Sequence, residues 1–137
     1  EESRYWRVTL APDQFYLGRA YVTSRKHVPT LSALSKKSWA DLQIVIQAYE
    51  SACVEALGAE HVTWMALMNN AYSSTEPLPH VHWHARPRYC NPVFLSGRWY
   101  VDDQFGGHHQ RDHEIKPSVS ELDVIKYKLQ QCFSLPK

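Results

Sequence analysis

Apolar residues recur every three or four positions through Trp39, Leu42, Val45/Ile46, Tyr49, Ala52/Cys53 and Ala56/Leu57. That spacing predicts one long helix with a sustained apolar face. Ser38 with Asp41 resembles a capping box at its start, and Gly58 suits its end. A second helix is expected to open at Ser118 with Glu121 and to turn Leu122, Ile125, Leu129 and Cys132/Phe133 inward. Elsewhere the pattern is that of strands. Residues 5–10 are rich in β-formers, residues 11–14 read as a turn, and residues 15–23 follow as a second strand, close enough for a hairpin. Residues 62–68 form a near-continuous apolar run, the mark of a buried strand, and polar residues 69–79 make a loop. Residues 93–101 hold another short extended piece. The order strand, strand, helix, strand, strand, helix implies a single α+β domain, 1–137, with a mostly antiparallel sheet.

Between the loop and that last extended piece, His80, His82 and His84 alternate with Val81, Trp83 and Ala85. Strand periodicity puts the three imidazoles on one face and the apolar residues on the other, where they can anchor against the long helix. Three readings of the row compete. It is a polar strand face that happens to be rich in histidine, although three in register argue against accident. It is a zinc site; residues two apart lie ~6.7 Å apart, so two of the three can share an ion at ~2.0–2.1 Å per bond. The outer pair is too far apart, so zinc needs a further ligand such as His108, His109 or His113. In the third reading the imidazoles divide the chemistry among them. One neutral ring attacks phosphorus while its neighbours steady charge or protonate a leaving group. Arg86 and Arg88, next in the row, suit phosphoryl-type transfer. Neither common glycine-rich phosphate loop occurs.

Composition narrows the function further. The net charge of +1 excludes binding driven mainly by charge, such as coating a nucleic acid polymer or an anionic membrane. No stretch is apolar for the ~18 residues of a membrane span. The start, Glu1-Glu2-Ser3-Arg4, carries no Met and no apolar signal region, as expected of a trimmed N-terminus. Cys53, Cys90 and Cys132 are odd in number and widely spaced, which points to a reducing compartment, the cytoplasm by default. Cys53 and Cys132 fall on apolar helical stripes and are expected to fill core.

The segment His80-Val81-His82-Trp83-His84-Ala85-Arg86 resembles the His-φ-His-φ-His-φ-φ signature of histidine triad (HIT) nucleotide hydrolases and transferases. Pro87-Arg88-Tyr89 after it, the long helix, and residues 18–27 with their glycine and basic end extend the resemblance over most of the chain. The resemblance implies a HIT-like fold and, commonly, a homodimer. It also implies covalent catalysis with no obligate cofactor or metal. His82 would be the nucleophile at the α-phosphate of a nucleotide, in phosphoramidate or dinucleoside polyphosphate substrates, with His80 and His84 assisting. Asn69 stands where the family often has a pocket Asn. Arg19 replaces the family's usual fourth His; it can clamp a phosphate but cannot shuttle a proton. The segment before the triad, 75–79, also departs from the family's Ser/Thr-containing stretch. Arg19 is otherwise a solvated strand-end charge, as Arg25, Lys26 and His27 are expected to be. Asp13 and Gln14 lie in the turn where a ribose could be held, although Asp also serves turns for its own sake. Trp64 and Trp83 are expected in the core. The alternatives are a nucleotide-binding module without turnover and a zinc-dependent hydrolase.

Overall fold

The computed structural model describes residues 1–107 and 114–135; His108, His109 and His113 lie outside the described residues. Strand β1 (Trp6–Leu10) pairs antiparallel with β2 (Ala20–Ser24). A helix, α1 (Lys36–Leu57), leads to β3 (His61–Met65), and β4 (His82–Arg88) inserts between β2 and β3, antiparallel to both. The sheet order is β1-β2-β4-β3. A small hairpin, β5 (Val93–Leu95) and β6 (Arg98–Tyr100), and a closing helix, α2 (Val119–Cys132), complete the α+β fold. No described helix is long and apolar enough to cross a membrane.

Helix α1 covers one face of the sheet. Leu42, Val45, Tyr49, Ala52, Cys53 and Leu57 are buried along it, facing Ala20 and Val22 of β2 and Val81 and Ala85 of the triad segment. Each fully buried Val or Leu contributes about 1.5–3 kcal/mol of transfer free energy. The other face of β4 is thereby left to the histidines.

The ends of the elements differ from the sequence pattern for local reasons. Helix α1 starts one turn early: Ser35 is its cap, accepting from the Ser38 amide at 3.1 Å. Asp41 serves no cap. Its carboxylate accepts from Ser3 Oγ at 2.6 Å and the Tyr5 amide at 2.9 Å, tying the N-terminus to the helix. Residues 15–17 are buried but not strand, because the chain turns at Gly18 (φ +78°), where a Cβ would lie 2.8 Å from Leu57 Cδ1. Strand β3 is shorter than expected and half-buried, since it forms the sheet's edge. Trp64 and Trp83 are likewise half-buried, Trp64 donating to Glu50 Oε1 at 2.8 Å. Cys53 is enclosed, Cys132 only partly. The capping box of α2 forms as read, Ser118 and Glu121 each bonding the other's backbone amide.

Candidate active site

The triad is not one uniform row. Strand pairing begins at His82, and Val81 leads into it, donating to Val28 O and accepting from the Ser24 amide. His80 therefore precedes the ladder. Its Nε2 donates to Ser24 O at 2.6 Å, and its ring stands 5.2 Å from that of His27. What His80 gives to His82 is a backbone carbonyl, 2.9 Å from His82 Nδ1. A carbonyl only accepts, so Nδ1 carries the proton, and the neutral His82 ring keeps its lone pair on Nε2. His82 and His84 lie side by side, ring centroids 5.0 Å apart.

His84 is buried, and its Nδ1 meets no hydrogen-bond partner. Burial first, then the charges of His82, Arg86 and Arg19, lower its pKa to about 4, against a hydrogen bond to the Leu67 backbone that raises it. At neutral pH it is an uncharged ring.

Arg19 is not a solvated charge. It is 5% exposed, paired with Asp13, and its guanidinium stands 5.8 Å from the Tyr21 ring. Its Nε has no partner. The Tyr21 ring in turn stands nearly perpendicular to both imidazoles, its centroid 5.2 Å from that of His84 and 6.3 Å from that of His82. Arg19, Tyr21, His82 and His84 are thus one cluster. Tyr21 was not among the residues expected from the sequence, although strand alternation after Arg19 gives it the face that Arg19 occupies.

The turn residues are spent differently. Asp13 accepts from the amides of Phe15 (3.0 Å) and Ile115 (3.1 Å) besides holding Arg19. Gln14 is fully enclosed: its Nε2 donates to the carbonyls of Ala11 and Arg19, and its Oε1 accepts from the Gly18 amide. Gln14 therefore cages the turn, its side-chain amide engaged with that backbone. Asn69 opens a short 3₁₀ turn (Asn69–Ser73) and is exposed. Arg25, Lys26 and His27 are exposed as expected. Among the described residues no three His, Cys, Asp or Glu side chains converge to hold a metal.

No protein-family model and no curated protein matches the chain. Solved structures do. A hypothetical histidine triad nucleotide-binding protein from Sulfolobus tokodaii superposes with a TM-score of 0.66 at 16% identity, over 97% of this chain and 80% of the other. A histidine triad protein from Marinobacter aquaeolei gives 0.68 at 19%, over 96% and 85%. A Zn-bound histidine triad family protein from Mycobacterium smegmatis gives 0.57 at 18%, over 96% and 82%. The chain has the histidine triad fold, as its His80–His84 pattern led us to expect.

Proposed function

We propose that the protein is a nucleotide hydrolase or nucleotidyl transferase that works at an α-phosphate through His82. The observation that carries this reading is the bond from His82 Nδ1 to the His80 carbonyl, which leaves a neutral Nε2 as nucleophile. The lone pair forms a nitrogen–phosphorus bond, the leaving group departs with its electron pair, and water or another acceptor releases the nucleotide in a second step. His80, anchored on Ser24, is a positioning residue. His84 and Arg19 offer neutral and cationic nitrogen to the phosphate oxygens, Asn69 is kept as a pocket residue on the family resemblance, and Asp13 orients Arg19. The fold shared with a nucleotide-binding protein supports the substrate class.

The test is release of nucleoside monophosphate from adenosine phosphoramidate and from a dinucleoside polyphosphate, with and without chelator. Chelator-resistant turnover is expected. Tight nucleotide binding without turnover would make the chain a binding module, and turnover abolished by chelator would make it a zinc hydrolase. We further propose a homodimer. Edge strand β3 and the exposed Trp39, Ile44 and Val54 of α1 offer pairing surface. Light scattering at micromolar concentration should report twice 15.9 kDa, and a monomer removes the idea.

A further inference from the structure

Arg19 immediately precedes strand β2, and Tyr21 is the strand's second residue, so alternation brings the two side chains to one face of the sheet. Register sets Tyr21 directly opposite His84 and Thr23 opposite His82, which leaves His82 on the diagonal from Tyr21. Opposite and diagonal neighbours on one face are both within reach of an aromatic side chain. The rings meet that expectation: Tyr21 stands at 79° to each imidazole, with centroid separations of 5.2 and 6.3 Å. The Arg19 guanidinium lies over the same ring, 5.8 Å from its centroid. One half-buried phenol ring is therefore the contact that Arg19, His82 and His84 share.

Each of these groups needs such a neighbour. Asp13 holds Arg19 at Nη1, while Nε has no partner, so the ion pair alone leaves the plane of the guanidinium free to turn. A planar guanidinium stacks on an aromatic face, and that contact supplies a second anchor. His82 is held at Nδ1 by the His80 carbonyl, and a single hydrogen bond lets an imidazole tilt about it. A stiff ring set across both imidazoles limits that tilt. Phosphoryl transfer depends mostly on such positioning, because little else is asked of the protein.

We propose that Tyr21 is a positioning residue of this site, its aromatic ring holding the Arg19 guanidinium in fixed relation to the His82 and His84 imidazoles, so that cation and nucleophile meet the same phosphate. The inference rests on the reading of His82 as nucleophile at phosphorus. The ring carries the role and the hydroxyl does not, since all three contacts are made by the ring. Tyr21 touches no reacting atom; it acts through Arg19 on phosphate binding and through the imidazoles on the chemical step.

A double-mutant cycle tests the role, with AMP binding by calorimetry and kcat for adenosine phosphoramidate and diadenosine tetraphosphate as its readouts. Tyr21→Leu should weaken AMP binding about three- to tenfold, the scale of a cation–π contact, and lower kcat about tenfold. Tyr21→Phe keeps the ring and should rescue both to within about threefold of wild type. In an Arg19→Ala background, Tyr21→Leu should weaken AMP binding by less than about twofold, because the ring then has no guanidinium to hold, and should still lower kcat. A merely loosened fold would reduce the amount of active protein and leave the AMP affinity of the folded fraction unchanged. If Tyr21→Leu does not fold, Tyr21→Ile, better suited to a strand, takes its place. Unchanged AMP affinity in the ringless variant, a Phe variant as impaired as the Leu variant, or losses from Arg19→Ala and Tyr21→Leu that add in full would each overturn the role and leave His82 in place. Failure of wild type to cleave either substrate overturns the nucleophile reading instead, and the AMP cycle still decides whether Tyr21 sets Arg19.

Discussion

Two buried arginine–aspartate pairs flank the triad, each beside a tyrosine, and they differ in what they leave over. Arg88 meets both carboxylate oxygens of Asp102, the Gln104 carbonyl and the Tyr16 ring 4.9 Å away. Asp102 also caps the Tyr89 and Gln104 amides, and its hydrogen bond holds the Arg88 pKa above the ordinary guanidinium value. This knot clamps the 102–104 loop to the end of β4. Arg19 is as buried, yet its Nε is unmatched and it lies against the ring that borders His82 and His84. A polar group left unmatched in a folded interior is costly unless something else fills it. Similar chemistry therefore serves two ends: a saturated pair holds the fold, and an unsaturated pair lies beside the ring that borders His82 and His84.

Substituting each arginine should separate these ends. Arg88→Met strands Asp102, which is nearly inaccessible, as an uncompensated charge, and should cost about 3–5 kcal/mol in urea unfolding. Nucleotide affinity per folded molecule should hardly change. A cost below about 1 kcal/mol would undo the contrast.

His84 gives the next largest effect, through pH. Its folded pKa of about 4 lies below the ~6.5 of an unfolded imidazole, so between those values the unfolded chain binds the extra proton. Stability is then complete above pH ~6.5 and declines as pH falls toward 4, by up to about 3 kcal/mol. Urea midpoints across that range should show the slope, and His84→Gln should flatten it. An identical slope in the variant would mean that His84 is not held neutral.

Arg19→Ala is the smallest. Asp13 keeps two backbone donors, so the fold survives. Nucleoside monophosphate should bind about tenfold more weakly by titration calorimetry, on the scale of one charged contact, with the larger difference at low salt. Equal affinity would return Arg19 to a purely structural role.

What could be read beforehand was what local pattern controls. The α2 cap and the inward stripe of α1 depend on neighbours in sequence, and both formed as expected except at Trp39, which the first turn leaves exposed. Long-range partners redirected the rest: Ser3 and Tyr5 took Asp41 from its cap, and Gln14 was drawn into a cage of carbonyls closed by Gly18. The turn between β5 and β6 did carry a local signal, Ser96-Gly97, both in the left-handed region that tight hairpins use. At the site, alternation put His82 and His84 together. It could not reveal that His80 meets His82 through its carbonyl, because the strand begins two residues later than the alternation.

Rapid alkaline quenching of the protein incubated with substrate, followed by peptide mapping, examines the proposed nucleophile itself. A wild-type adduct carrying one nucleoside monophosphate on His82 is expected. His82→Asn should form none and should lose roughly 10⁴-fold or more in turnover with nucleotide binding retained, the scale seen when a covalent nucleophile is removed. An adduct on His80 or His84, or normal turnover by His82→Asn, would contradict the assignment.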